Sequence, residues 1–213
     1  MAINSLSTGF RPGVCTSSTR PTAPYEGQVI YETDTDLSYV WGGAAWQQVS
    51  GGTAVGNSGL VFVASSTVGA GVTTHAVSNC FSSLYDNYKI TWAGGVGTNP
   101  VAVSMQLGAS TTGYYQGLQY VTYSTGAVSS ISTNNGSSWQ YAGEASPSMC
   151  AIDLDLFNPF LAKFSTIFGG YSGTVGGSIS GYHGVATSYT GFSIIVAGNT
   201  ITGGTVTVYG YRK

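Results

Sequence analysis

The chain is poor in charge. It has 6 Lys and Arg and 8 Asp and Glu in 213 residues, 7% of the sequence, against about a quarter in an average domain. Residues 37–85, 90–143 and 164–211 carry none at all. So neutral a surface gives little of the charge that keeps free monomers apart, and a chain held in an assembly is expected. The few cations are scattered and the net charge is −2. No basic patch is available to neutralise a phosphate backbone, which argues against nucleic acid as a partner. No run of about 18 apolar residues occurs, so no membrane insertion is expected. Met1-Ala2-Ile3-Asn4-Ser5 lacks the basic and apolar regions of a signal peptide, and synthesis in a cytoplasm follows as an expectation.

Cysteine is scarce and odd in number. Cys15, Cys80 and Cys150 show no C-x-x-C spacing, so neither a disulfide framework nor a zinc site is indicated. Cys80 and Cys150 lie in apolar runs and read as small buried hydrophobes; Cys15 lies in a polar arm. Catalytic motifs are missing as well. His75 and His183 are the only histidines, with no H-E-x-x-H and no G-x-S-x-G near either. A Ser-His-Asp triad is a matter of geometry and is not legible from spacing. Asp153 and Asp155 form a D-x-D pair that reads as the solvated face of a half-buried strand. Asp34 and Asp36 form another, explained by turn chemistry, without the further ligands of a calcium loop. Gly169-Gly170 and Gly176-Gly177 precede no helix, so they make no phosphate loop. No enzyme activity, metal or cofactor is expected.

What is abundant is Gly, at 32 residues, and Tyr, at 15, in a chain that is 42% hydrophobic. No segment sustains a helical period. From residue 60 onward, β-rich runs alternate with turns: 60–68, 72–81, 88–93, 101–107, 114–124, 149–157, 163–171, 178–187, 192–196 and 205–211, with a shorter run at 139–142. Ile152, Leu154 and Leu156 point one way and Asp153 and Asp155 the other; Phe164, Thr166 and Phe168 share a face. Residues 124–138 are a Ser, Thr, Asn and Gly stretch, read as an exposed loop or hairpin. The pattern predicts an all-β chain in four parts: an extended attachment arm over 1–19, a small β-meander over 20–50, a Gly-rich linker over 51–59, and an antiparallel, jelly-roll-like β-sandwich over 60–213.

The second part carries a resemblance. Arg20-Pro21-Thr22-Ala23-Pro24-Tyr25-Glu26-Gly27-Gln28-Val29-Ile30-Tyr31-Glu32-Thr33-Asp34-Thr35-Asp36, continuing to Val49, is similar to a module of tail-fibre and other virion structural proteins of tailed bacteriophages. The opening, from Asn4 to Pro21, resembles the arms with which short phage structural proteins lace into their neighbours. Cys80-Phe81-Ser82-Ser83-Leu84-Tyr85-Asp86-Asn87-Tyr88-Lys89-Ile90-Thr91-Trp92, together with Gly204-Thr205-Val206-Thr207-Val208-Tyr209-Gly210-Tyr211, resembles the opening and closing strands of the terminal sandwich of phage fibre and appendage proteins. The resemblance brings no catalytic residues.

The expectation is a homotrimeric surface appendage of a virion, tail-fibre or spike-like, made in the host cytoplasm. Phe10, Val14 and Arg20 are the expected anchors of the arm on other virion proteins. Val29, Tyr31, Tyr39, Trp41 and Trp46 are the expected core or interface of the meander, which is too small to be stable unaided. One alternative is a capsid decoration or head-fibre protein, in keeping with the short length and the lack of a shaft. Another is a lectin-like domain binding host surface glycan. For that reading the candidate surface is Tyr114, Tyr115, Tyr120, Tyr123, Trp139 and Tyr141, aromatics amid Ser, Asn and Gly as in antibody loops; they serve equally as core or subunit contacts.

Overall fold

The computed structural model describes residues 12–50 and 59–213. Phe10 lies outside them, as do most of the arm and of the Gly-rich linker. The chain divides into two compact units, residues 1–57 and 58–213. No helix occurs among the described residues, so the chain is all-β there.

The first unit is a four-stranded sheet of β1 (Gly13–Cys15), β2 (Val29–Glu32), β3 (Leu37–Trp41) and β4 (Trp46–Ser50), in that order. Strands β2 to β4 form the expected antiparallel meander. Residues 13–15, read from the sequence as arm, are extended and add a fourth strand parallel to β2. The turn between β2 and β3 places Asp36 at φ 56°, the left-handed region that Asp tolerates better than most residues.

The second unit is a β-sandwich whose strands all pair antiparallel. In chain order its strands are β5 (Leu60–Thr67), β6 (Thr74–Val77), β7 (Asn87–Ala93), β8 (Val96–Gly97), β9 (Val101–Leu107), β10 (Tyr114–Thr122), β11 (Ala127–Gly136), β12 (Trp139–Ala145), β13 (Ala151–Phe157), β14 (Ser165–Ser172), β15 (Val175–His183), β16 (Phe192–Val196), β17 (Ile201–Thr202) and β18 (Thr205–Tyr211). The large sheet runs β11-β10-β15-β14-β13-β7-β18-β5 and the smaller one β12-β9-β16-β6; β8 and β17 pair with each other. Alternation sets the faces. Leu118, Ile179, Ile167, Leu154, Ile90 and Val208 of the large sheet are buried, as are Val103, Met105, Leu107, Phe192 and Ile194 of the smaller one. Their side chains fill one core, and the other face of each sheet is open. Cys80 and Cys150 are buried there as free thiols, and burial pushes both up to about 12.

The Ser, Thr and Asn stretch turns out to be a full strand. Residues 127–136 pair with β10 from Thr122↔Ala127 to Tyr114↔Gly136 and form the sheet edge. Its composition hides it, because an edge strand with little buried surface has little need of apolar residues.

Candidate functional site

In the first unit the polar residues of the meander hold it together. Glu32 is closed off from solvent and pairs with the Arg20 guanidinium through Oε1, while Thr35 donates to Oε2 at 2.8 Å. Arg20 also lies over the Tyr39 ring, 4.4 Å from its centre. Planar guanidinium stacking plus a carboxylate bond fixes a side chain that would otherwise be free. The Arg20 bond holds the Glu32 carboxyl below its ordinary value. Asp34 accepts from the Ser17 amide at 2.9 Å and its hydroxyl at 2.6 Å, and Tyr31 donates to Asp36 at 2.6 Å. Arg20, expected to anchor the arm on a neighbour, is therefore spent inside the module. Val14 is free for that role, being 60% exposed on β1. Val29, Tyr31, Tyr39, Trp41 and Trp46 are all half-buried. Trp41 and Trp46 meet edge to face at 5.5 Å.

The six candidate aromatics of the sandwich do not form one surface. Tyr114 and Trp139 are wholly buried, with rings 5.1 Å apart and nearly perpendicular. Their polar ends are satisfied inside: the Leu107 amide donates to the Tyr114 oxygen at 2.7 Å, and Trp139 Nε1 donates to the Tyr182 carbonyl at 3.3 Å. Buried tyrosine and tryptophan need such partners, and having them marks both as core rather than as receptor contacts. Tyr120 and Tyr141 stack in parallel, 6.2 Å apart, both half-buried. Tyr123 is exposed and shares a 3.4 Å contact with Ser172 Oγ. Tyr115 belongs to the outer face, stacked on Tyr182 at 4.6 Å.

Among the described residues one serine is hydrogen-bonded to a histidine. Ser110 Oγ lies 2.9 Å from His183 Nε2, but the Thr112 carbonyl lies 3.1 Å from the same nitrogen. A carbonyl only accepts, so Nε2 carries the hydrogen and has no lone pair with which to take the serine proton. Nδ1 has no hydrogen-bond partner among the described residues, so no carboxylate completes a triad. Burial pushes the imidazole below its ordinary value. Asp153 and Asp155 both face Lys89, which pairs with each, and Tyr211 donates to Asp155. The two carboxylates share one cation and are not an unpaired acid–base couple. Among the described residues no cluster of three His, Cys, Asp or Glu has metal-binding geometry.

The two landmarks of the sandwich, far apart in sequence, are neighbours in the fold. Strand β18 pairs with β7, with Gly210 opposite Tyr88. The Tyr88 hydroxyl accepts from the Ser82 amide at 2.8 Å and donates to the Ser82 carbonyl at 3.0 Å, closing the loop before β7. A Cβ at Gly210 would come within 2.3 Å of the Tyr85 ring, so that ring lies flat on the backbone of β18. Lys213 pairs with Asp86 at 2.9 Å and donates to the Ser83 carbonyl at 3.0 Å.

Two troughs lie on the outer faces. One of about 520 Å³ crosses the large sheet over Gly117, Gln119, Ser130, Ser132, Ser178 and Ser180, beside Phe168. One of about 540 Å³ crosses the smaller sheet at Ser104, Gln106, Gln140, Tyr141 and Asn199. Comparison with family models, curated proteins and solved structures finds no match to the chain.

Proposed function

We propose that the chain is a non-enzymatic structural protein of a tailed-phage virion and builds a homotrimeric surface appendage. The observation that carries this is the joint packing of Cys80–Trp92 with Thr205–Lys213. The two segments that resemble phage appendage sandwiches are far apart in sequence and form one interlocked unit through β7, β18, Tyr85 and the Asp86–Lys213 pair. A shared unit of that kind is what a common architecture would preserve.

Two further features support the reading. The residues of the Arg20–Asp36 segment make the internal bonds of the meander, while its large apolar side chains stay half-open to a partner. On the sandwich, Phe62, Phe164 and Phe168 are exposed on a surface with few charges to offset them. Exposed apolar surface on a charge-poor protein marks contact with other proteins or ligands. A capsid decoration or head-fibre role is the second reading, favoured by the lack of any repeating shaft among the described residues.

Gold labelling of intact particles with an antibody to residues 59–213 separates these. Label at the tail supports a host-facing appendage. Label over the capsid supports decoration. Particles that carry the gene product in neither place overturn the virion reading.

A further inference from the structure

The trough on the large sheet is built from residues that a strand does not favour. In register, Ser132 of β11, Gly117 of β10, Ser180 of β15 and Phe168 of β14 form one transverse row. Ser130, Gln119, Ser178 and Gly170 form the next. Serine and glycine are poor strand residues, and glycine inside a strand costs stability. Most glycines here have a packing reason: a Cβ at Gly181 would strike the Tyr115 carbonyl, and one at Gly177 the Gln119 carbonyl. Gly117 has none. Its φ is not in the left-handed region, and a Cβ there would meet nothing within 4 Å. A strand glycine without such a cause marks a bulge or a close approach from outside the chain; β10 shifts register between Tyr114 and Gln116, but Gly117 itself pairs in register with Ser132 and Ser180.

The chemistry of the trough points to the occupant. No lining side chain is charged. On the next strand Asp155 stands opposite Phe168 and Asp153 opposite Gly170; they share Lys89, which leaves one negative charge beside the trough and disfavours an acidic ligand. The side chains of Gln119, Ser130, Ser132, Ser178 and Ser180 make no hydrogen bond to other described residues, so their groups are free for a ligand. In the trough of the smaller sheet, by contrast, Gln106 already donates to the Ser110 carbonyl and Asn199 accepts from Asn99. Aromatic rings flank the free floor. Phe168 is 58% exposed, and Tyr115, Tyr182 and Phe164 stack with interplanar angles of 8° and 14°. Hydroxyls and an amide below, flat rings beside them and no charge match a neutral sugar chain, which offers hydroxyl edges and C–H faces. The trough spans three inter-strand spacings, roughly 14 Å, long enough for more than one ring.

We infer that the outer face of β11-β10-β15-β14 is a binding site for a neutral oligosaccharide, with Gly117 and the four serines as floor and the exposed Phe168 ring as stacking wall. This surface is carried by the chain in any setting, so sugar binding there does not depend on a place in a virion.

The test is full-length protein against immobilised neutral hexose and N-acetylhexosamine di- to hexasaccharides, with acidic glycans as comparison. G117V fills the trough with a residue that suits a strand, and F168A removes the wall. Neutral oligosaccharides should bind the parent chain, and each variant should weaken binding at least tenfold while its melting temperature holds or rises for G117V. N199A, in the other trough, should bind as the parent does. Lack of binding across the neutral panel overturns the inference, as does binding that both variants leave intact. A changed oligomeric state in G117V without sugar binding also overturns it, in favour of a contact between chains.

Discussion

At the scale of single residues, neighbouring aromatics do opposite jobs. Tyr114 is buried against Trp139 and His183, and Tyr115 stacks outside on Tyr182. Truncating Trp139 to Ala should cost about 3–5 kcal/mol in urea unfolding of the sandwich, through the cavity it leaves. The histidines set a pH dependence. Burial lowers both His183 and His75 below the ordinary 6.5, so the unfolded chain binds their protons first. Their contribution is complete above about 6.5 and is lost as pH falls below it toward the folded values. Melting temperatures of the sandwich should therefore decline already between pH 6.5 and 5. H183N should keep a smaller slope, the part that belongs to His75. Glu32 works in a lower window: its carboxyl is held below 4.5 in the fold, so its contribution is lost only as pH drops through that range.

Elements show what sequence patterns can and cannot convey. Ile152, Leu154 and Leu156 alternate with two aspartates, and β13 was legible from that alone. The alternation of Phe164, Thr166 and Phe168 was legible too, yet apolarity misleads about direction: Ser165 and Ile167 are the buried pair and the phenylalanines face out. Strand β11 and the two-residue β8 and β17 were illegible, because pairing partners rather than side chains define them. The candidate aromatic surface scattered for a related reason. Spacing gives the parity of a strand but not which parity meets the core. Gly210 supplies an element-scale prediction. G210A drives a methyl into the Tyr85 ring, where Cβ would stand 2.3 Å from the nearest ring atom. Separating β18 from the loop before β7 should cost about 1–3 kcal/mol in chemical denaturation.

On the scale of the whole molecule, the two units have separate means of support. The sandwich has a continuous apolar core, whereas Ile30 is the one fully buried hydrophobic residue among those described in the first unit. That unit relies on Arg20, Glu32, Thr35, Asp34 and Ser17 instead. R20A should leave the Glu32 carboxylate without its cation and melt the first unit early, while the sandwich keeps its midpoint; amide exchange resolved by residue would read the two apart. The proposed appendage is a homotrimer of the full chain. Light scattering that finds only a 21.9 kDa species at micromolar concentration contradicts it.

The parallel pairing of β1 with β2 has a mechanical meaning. Strands β1, β2 and β4 all run the same way, since β3 is antiparallel to both its neighbours. The chain thus enters the sheet at one end of the strands, at Gly13, and leaves at the opposite end, at Ser50. A pull between those two points runs along the strands and loads the ladder bonds together in shear, where a hairpin pulled at its open end would unzip one bond at a time. Small as it is, the module is wired to resist tension.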